Sequence, residues 1–193
     1  MTTIGIIRHG STLWNKEGRA QGNTDVPLDH DGLSEAYKLG ERLRKENWDA
    51  IVSSDLLRAR QTAEIVSEKI NSPIHFDSRL REVGGGLIEG TTNKERVVKW
   101  GENWEELDLG IEKTEQVVKR GLLVIEDVTQ EYQGQRILLI SHGSFISHLI
   151  KELVPTSCLE DAIKNTSLTI LQMTAENTWE KKLYNCTRHL GNT

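Results

Sequence analysis

Short apolar runs alternate with longer amphipathic segments along the chain, and this alternation limits the folds that the chain can adopt. Each run is short, contains β-branched residues and ends at polar residues or glycine, which predicts buried strands. The first four runs are residues 3–7, 50–52, 74–76 and 137–140. Two later runs, residues 168–173 and 178–183, alternate more clearly between apolar and polar residues and predict an antiparallel pair.

Between these runs, apolar residues recur every three or four positions, which predicts helices. The helical segments are residues 33–43, 57–70, 114–132 and 145–153. The first would have Asp31 as N-cap and carry Leu33, Ala36, Tyr37, Gly40 and Leu43 on its apolar face, and the third would have Thr114 as its cap. Strands that alternate with helices imply a three-layer α/β sandwich, with a mainly parallel central sheet flanked by helices. The length of 193 residues fits one domain over residues 1–193.

Composition narrows the classes of partner. The chain has 24 basic and 29 acidic side chains, a net charge of −5, which argues against nucleic acid as a partner. No run approaches the roughly 18 apolar residues of a membrane span. Cys158 and Cys186 lack metal-ligand spacing and are typical of reduced thiols. We therefore expect a cytoplasmic protein that binds neither nucleic acid nor membrane.

Polar motifs follow three of the predicted parallel strands, at the edge where such sheets bind ligands. They are Arg-His-Gly at residues 8–10, Ser-Ser at residues 53–54 and Ser-His-Gly at residues 141–143. Two His-Gly pairs at one sheet edge indicate two imidazoles that face each other across a small pocket, with glycines that let backbone amides approach a ligand. Arg58, at the start of the helix after the second strand, adds a guanidinium group suited to phosphate oxygens. Together these groups would neutralise a phosphoryl group without a metal ion.

These motifs resemble those of the histidine phosphatase superfamily, also called the phosphoglycerate mutase-like fold. The five motifs occur in the family's order, as RHGSTLWN at residues 8–15, RAQG at 19–22, SSDLLRARQTA at 53–63, LRE at 80–82 and SHG at 141–143. The end of the chain, with Tyr-Asn at residues 184–185, is similar to the small bacterial phosphatases of this family. The resemblance implies the phosphoglycerate mutase-like fold and a metal-independent phosphoric monoester hydrolase without a cofactor.

The resemblance also implies roles for individual residues. His9 would accept the phosphoryl group as a phosphohistidine, which splits one difficult displacement into two. Arg8, Arg58 and His142 would hold the equatorial oxygens, where charge must be stabilised in the transition state. Glu82 would protonate the leaving oxygen and then take a proton from the attacking water.

Further residues would complete the binding site for a small phosphorylated metabolite. The expected substrate-binding residues are Asn15, Gln21, Gly22, Gly143 and Ser144. No metal site is expected, because the remaining histidines show no mutual ligand spacing; they are His30, His75, His148 and His189. The chain would act as a monomer or a homodimer.

Two local alternatives stay open at this stage. Glu89 is a rival to Glu82 as proton donor, although the Leu-Arg-Glu context favours Glu82 and a structural role for Glu89. Many relatives carry an aromatic-glycine pair after the glutamate, whereas this chain has three glycines at residues 84–86. Trp100 and Trp104 would either cap the pocket or anchor a surface loop.

Two other functions compete with hydrolysis. A cofactor-dependent phosphoglycerate mutase would carry a basic, proline-rich segment after the acid, but residues 101–115 contain only Lys113 as a basic group. An inactive module that merely binds phosphorylated ligands would commonly lack one of the five catalytic residues, and none is missing. The sequence favours a phosphatase and leaves open phosphorylated sugars, glycerate phosphates, nucleotides and cofactor precursors as substrates.

Overall fold

A computed structural model describes residues 1–155 and 162–191 of the chain, so Cys158 lies outside the described residues. The strands in these residues are β1 (Thr3–Arg8), β2 (Ala50–Ser53), β3 (Ile74–Phe76), β4 (Arg136–Ser141), β5 (Leu168–Met173) and β6 (Trp179–Cys186). The helices are α1 (Leu13–Glu17), α2 (His30–Leu43), α3 (Leu57–Ile70), α4 (Asn93–Trp100), α5 (Thr114–Glu131) and α6 (Gly143–Leu153). None of these helices is long and apolar enough to cross a membrane.

The six strands form one sheet in the order β3-β2-β4-β1-β5-β6. The first four strands in that order are parallel, and β5 and β6 are antiparallel at one edge, as the sequence predicts. Arg8 pairs with Ser141, and Ser53 pairs with Ile140, so β1, β2 and β4 end almost level. The prediction of an α/β sandwich with a mainly parallel sheet is therefore confirmed. The single domain over residues 1–193 stays a prediction, supported by the membership of all six strands in one sheet.

Helices cover both faces of the sheet. Along β4, Ile137 and Leu139 belong to the core cluster that includes residues of α5 and α6, whereas Leu138 and Ile140 belong to the cluster with α2 and α3. All four side chains are at most 1% exposed. Full burial of such a side chain contributes about 1.5–3 kcal/mol. Burial on both faces explains why these strands are continuous apolar runs in the sequence.

The start of α2 differs from the prediction. Asp29 is the N-cap and accepts a hydrogen bond from the Gly32 amide at 2.8 Å, so the helix begins before Asp31. Leu33 and Tyr37 are 43% and 51% exposed, and their predicted burial is wrong. The stripe that α2 buries is Gly32, Ala36, Leu39, Gly40 and Leu43. Ala36, Gly40 and Leu43 belong to the predicted apolar face, whereas Gly32 and Leu39 were not part of it.

Other helix and strand boundaries differ from the predicted ones by only a few residues. The N-cap of α5 is Lys113, so Thr114 is the first helical residue and the prediction of Thr114 as cap is wrong. The last strand, β6, extends three residues beyond the predicted end at position 183. The helices α1 and α4 were not predicted, because both are short and α4 buries none of its residues fully.

Two glycines allow the loop after β1 to pack against the first turn of α2. A Cβ atom on Gly10 would lie 2.6 Å from the Gly32 carbonyl oxygen, and one on Gly32 would lie 2.1 Å from the Ser11 carbonyl oxygen. The amide of Gly10 donates to Thr62 Oγ1 in α3 at 3.1 Å. The expected exposure of this amide to a ligand is therefore wrong, and glycine is needed here because two backbones lie in contact.

Candidate active site

The carboxyl ends of β1, β2 and β4 open into a cavity of about 360 Å³. The cavity lies where parallel α/β sheets bind ligands. Of the predicted site residues, those that line it are Arg8, His9, Asn15, Gln21, Gly22, Arg58, Glu82 and Ser144. His142 lies directly behind this lining, and Gly143 lines an adjoining cleft. The structure thus brings the predicted residues together at one edge of the sheet.

His9 is held in one tautomer. Its backbone amide donates to the Ser141 carbonyl oxygen at 3.0 Å, which continues the pairing of β1 with β4. Its Nδ1 lies 2.7 Å from the Gly10 carbonyl oxygen. A carbonyl oxygen can only accept, so Nδ1 carries the proton and Nε2 keeps its lone pair. Burial, reinforced by Arg58 and Arg8, holds the pKa of His9 well below its ordinary value, so the imidazole is neutral.

His142 lies next to His9, with ring centroids 5.2 Å apart and a tilt of 55° between the ring planes. Its Nε2 is 2.8 Å from Ser54 Oγ, which also accepts the Leu56 amide at 3.3 Å. The hydroxyl proton of Ser54 has no other acceptor among the described residues, so we assign this hydroxyl as the donor to Nε2. The imidazole proton is then on Nδ1, which is buried and has no partner in the described part of the chain. Burial, followed by Arg58, also holds the pKa of His142 well below its ordinary value.

Two guanidinium groups lie beside these imidazoles. Arg58 is completely buried and donates to the carbonyl oxygens of Thr24 at 2.9 Å and Gly22 at 2.8 Å. Burial lowers the pKa of Arg58 to about 10, so it stays charged at neutral pH. Arg8 donates to the Ile163 carbonyl oxygen at 2.7 Å, and burial lowers its pKa as well. Their carbonyl partners orient both groups without neutralising them, which leaves concentrated positive charge for an anion.

Glu82 projects into the cavity and caps the first turn of α6. Its Oε1 accepts the amides of Val83 at 2.9 Å and Phe145 at 2.8 Å, and its Oε2 accepts the Ser144 amide at 3.1 Å. A carboxylate at a helix N-terminus is favoured by the helix dipole and by the free amides there. The Ser144 amide, expected to bind substrate, is used by Glu82 in this structure.

Glu89 holds a loop together and does not line the cavity. Its Oε1 accepts the amides of Asn23 and Gly85, both at 2.9 Å, and its Oε2 accepts the Thr24 hydroxyl at 2.5 Å. Burial alone would raise its pKa, but these hydrogen bonds outweigh burial, and the pKa is lowered. A Cβ atom on Gly22 would lie 2.0 Å from Glu89 Oε1, so the two segments are in close contact. The structure favours Glu82 as the residue that reaches a ligand.

The expected substrate-binding residues have different surroundings. Asn15 Oδ1 accepts the Thr12 amide at 3.2 Å and the Asn165 side-chain amide at 3.3 Å, so its oxygen shapes the loop after β1. Gln21 is 8% exposed, and its Oε1 has no partner within the described residues. A Cβ atom on Gly143 would lie 3.2 Å from Arg8 Nε, outside the main cavity.

For several residues of the site, no individual role was predicted. Ser54 fixes the tautomer of His142, and its signal was its place directly after β2. His148 lines the cavity one helical turn after Ser144, and this spacing of four residues was readable from the sequence. Arg19 also lines the cavity, within the RAQG motif. Asn165 donates to the His9 carbonyl oxygen at 2.9 Å across 156 residues, and no sequence pattern pointed to it.

Neither Trp100 nor Trp104 lines the cavity, which favours the role of loop anchor over that of pocket cap. Trp104 is 8% exposed, donates to Asn93 Oδ1 at 3.2 Å and lies under the Arg96 guanidinium. Within residues 1–155 and 162–191, no group of three or more His, Cys, Asp or Glu side chains could hold a metal ion.

A parallel α/β sheet with a neutral histidine beside one buried and one partly buried guanidinium group defines a class of enzymes that act on phosphoryl groups. The family model of the histidine phosphatase superfamily (branch 1) matches residues 4–187, and the chain belongs to this family.

Similar proteins include both phosphatases and a mutase. The chain is 32% identical to the uncharacterised phosphatase PhoE of Bacillus subtilis over 193 residues, which cover 99% of this chain and 98% of PhoE. It is 35% identical to the probable phosphoglycerate mutase GpmB of Escherichia coli over 163 residues, 80% of this chain and 75% of GpmB. The solved structure of Bacillus stearothermophilus YhfR superposes with a TM-score of 0.89 at 30% identity, covering 98% of this chain and all of YhfR.

Proposed function

We propose that the protein hydrolyses phosphate monoesters of small metabolites through a phosphohistidine on His9. The observation that carries this proposal is the neutral His9 ring, whose Nε2 keeps its lone pair beside the buried Arg58 and the partly buried Arg8. A neutral imidazole with a free lone pair is a competent nucleophile at neutral pH. The similarity to PhoE, described as a phosphatase, supports the same reaction.

In the first step, Nε2 of His9 attacks phosphorus in line with the leaving oxygen. The bond between phosphorus and the ester oxygen breaks as the N–P bond forms. Arg8, Arg58 and the unpartnered Nδ1–H of His142 stabilise the charge on the equatorial oxygens. Glu82 enters this step protonated and gives its proton to the leaving oxygen, which departs as an alcohol while Glu82 becomes a carboxylate.

In the second step, water attacks the phosphohistidine. Glu82, now a carboxylate, takes a proton from the water as the new P–O bond forms and the N–P bond breaks. Inorganic phosphate leaves, and both His9 and Glu82 return to their starting states. Arg8 and Arg58 supply the positive charge that metal ions supply in other phosphatases, which supports a reaction without metal.

The rest of the cavity lining favours hydrolysis over a mutase reaction. A mutase must retain a second anionic group while the phosphoryl group moves, but the lining includes the apolar side chains of Val83, Ile88 and Ile111. Apart from Arg8 and Arg58, the lining arginine among the described residues is Arg19, which is already paired with two carboxylates, Glu17 at 2.7 Å and Glu95 at 2.7 Å. The similarity to GpmB keeps the mutase as the alternative.

The covalent intermediate gives the direct test. Rapid quenching of the enzyme with a ³²P-labelled monoester should trap acid-labile label on the wild type and none on His9→Ala. Excess EDTA should leave turnover of p-nitrophenyl phosphate unchanged. Loss of activity with EDTA that a divalent ion restores would contradict the proposal, as would turnover without a labelled enzyme.

A second assay separates the alternatives. With 3-phosphoglycerate as substrate, a phosphatase releases inorganic phosphate, whereas a mutase forms 2-phosphoglycerate without release. An inactive binding module would do neither, whatever esters it is given. The cytoplasmic location and the monomeric or homodimeric state stay predictions.

A further inference from the structure

The segment that carries Glu82 is bound from behind by a single arginine of α5. Arg120 Nη1 donates to the carbonyl oxygens of Arg79 at 2.6 Å and Arg81 at 2.7 Å, and Nη2 donates to that of Glu82 at 3.1 Å. Three carbonyls within four residues thus converge on one guanidinium group. Its side chain is only 18% exposed, so these bonds are largely shielded from water.

The remaining donors of Arg120 go to Glu112. Nε donates to Glu112 Oε1 at 2.8 Å and Nη2 donates to Oε2 at 3.0 Å. Glu112 in turn accepts the Gly84 amide at 3.0 Å and donates its own amide to the Gly84 carbonyl oxygen at 2.8 Å. A guanidinium group has five N–H donors, which matches the five bonds observed. The backbone is therefore fixed on both sides of Glu82.

The same guanidinium group also contacts the partner of the Glu82 carboxylate. The Arg120 carbon Cζ lies 4.8 Å from the centre of the Phe145 ring, and the Phe145 amide donates to Glu82 Oε1 at 2.8 Å. Arg120 thus joins the Glu82 backbone to the first turn of α6, which orients the Glu82 side chain. It does not line the main cavity, so it does not contact a substrate there.

We propose that Arg120 is a positioning residue for proton transfer, and that it holds Glu82 where the carboxyl group reaches the leaving oxygen. The proposal rests on the proposed function, specifically on Glu82 as proton donor. Lysine cannot replace arginine here, because three donors on a point charge cannot bind three carbonyls and a carboxylate in this arrangement. Misplacement of a proton donor slows esters that need protonation and spares esters that leave without it.

The test compares two esters in four proteins. The wild type, Arg120→Lys, Glu82→Gln and the double variant are assayed with p-nitrophenyl phosphate and with glycerol 2-phosphate, whose alkoxide leaves poorly. Arg120→Lys should lower kcat/KM for glycerol 2-phosphate about 10-fold or more, while that for p-nitrophenyl phosphate changes less than about 3-fold. In the Glu82→Gln background, Arg120→Lys should cause no further change in the ratio between the two esters.

Arg136→Lys is the matched control. Arg136 also donates to a backbone carbonyl and a carboxylate and stacks on an aromatic ring, but it lies at the opposite end of β4 from the site. Arg136→Lys should leave the ratio of kcat/KM between the two esters unchanged. Glu112→Gln is a second variant, which keeps Arg120 but weakens its ion pair. It should also lower kcat/KM for glycerol 2-phosphate more than that for p-nitrophenyl phosphate, but by a smaller factor than Arg120→Lys.

The remaining outcomes of these assays contradict either the role of Arg120 or the role of Glu82. An equal loss on both esters in Arg120→Lys, or a further change of the ratio in the double variant, would show a merely structural role and overturn the proposal. If Arg120→Lys does not fold, an unselective effect of Glu112→Gln overturns it. Selective loss in Glu82→Gln but not in Arg120→Lys overturns this inference alone. Absence of selective loss in Glu82→Gln overturns the proton donor and, with it, the proposed function of Glu82.

Discussion

The inner and outer parts of the cavity are built in different ways. The inner part consists of His9, His142, Arg8 and Arg58. The first three lie at or directly after the ends of β1 and β4 and are positioned by the register of the sheet, whereas Arg58 lies in the first turn of α3 and is oriented by the carbonyl oxygens of Gly22 and Thr24. The outer part is formed by residues 82–112, which contain no strand and are held by carboxylates that accept backbone amides. The inner part would therefore determine the reaction, whereas the outer part would determine which leaving group is accepted and protonated.

The largest effect is expected in the inner part, at the nucleophile. His9→Ala should lower kcat by about 10⁴-fold or more, because no water or neighbouring group can replace the covalent route. The measurement is steady-state turnover with a check of thermal unfolding. His30→Ala, which removes a histidine whose side chain is 98% exposed, is the matched control and should retain full activity. Near wild-type rates in His9→Ala would disprove the mechanism.

The second largest effect is expected at Glu82, and it is compared with that of a second carboxylate of the outer part, Glu89. Glu82→Gln should slow esters of poor leaving groups by about 10²–10⁴-fold and aryl esters far less, because a phenolate needs little protonation to leave. Glu89→Gln should cause a smaller loss of similar size for all esters, since it weakens the hydrogen bonds to Asn23 and Gly85. The measurement is kcat/KM across esters of graded leaving-group pKa. Selectivity in Glu89→Gln but not in Glu82→Gln would reassign the proton donor to Glu89.

A third effect tests how the inner part is supported. Ser54→Ala removes the partner of His142 Nε2 and should lower kcat about 10-fold, equivalent to roughly 1.4 kcal/mol, because the imidazole loses control of its tautomer. Ser53→Ala is the matched control, since Ser53 is also fully buried but donates only to the Ser54 carbonyl oxygen. Equal effects of the two substitutions on kcat would show that Ser54 acts through packing alone.

The smallest effect concerns stability. The unfolded chain protonates its histidines as the pH falls below about 6.5, whereas buried His9 and His142 stay neutral in the folded chain. The unfolded state then binds more protons, so the free energy of unfolding should decrease between pH 6.5 and 5.5, by at most about 1.4 kcal/mol per pH unit for each histidine.

Half-buried His189 adds to this slope, because burial, followed by Arg42, lowers its pKa to about 4. Urea unfolding at several pH values measures the slope for the wild type and for His9→Asn. The slope should be shallower in His9→Asn. An unchanged slope in that variant would show that His9 is protonated in the folded state.

The sequence predicted the inner part more completely than the outer part. His9, His142 and Arg58 follow apolar strands or begin the next helix, so their positions follow from the order of elements. The place of Ser54 after β2 was visible in the sequence, but its contact with His142 and that of Asn165 with His9 were missed, because they join residues 88 and 156 positions apart, which no local pattern contains. The error at Leu33 and Tyr37 arose in the same way, since the buried stripe of α2 is set by its neighbours and by the cap at Asp29.

The contact between Gly10 and Gly32 has a consequence for the tolerance of the chain to mutation. Neither residue has a side chain that could take part in the reaction, yet a single methyl group at either position would overlap a backbone carbonyl oxygen. The overlap would displace the backbone that carries His9. In a library of all single substitutions selected for phosphatase activity, positions 10 and 32 should therefore be depleted as strongly as position 9. A map of such depletion would outline the active site together with the backbone contact that shapes it.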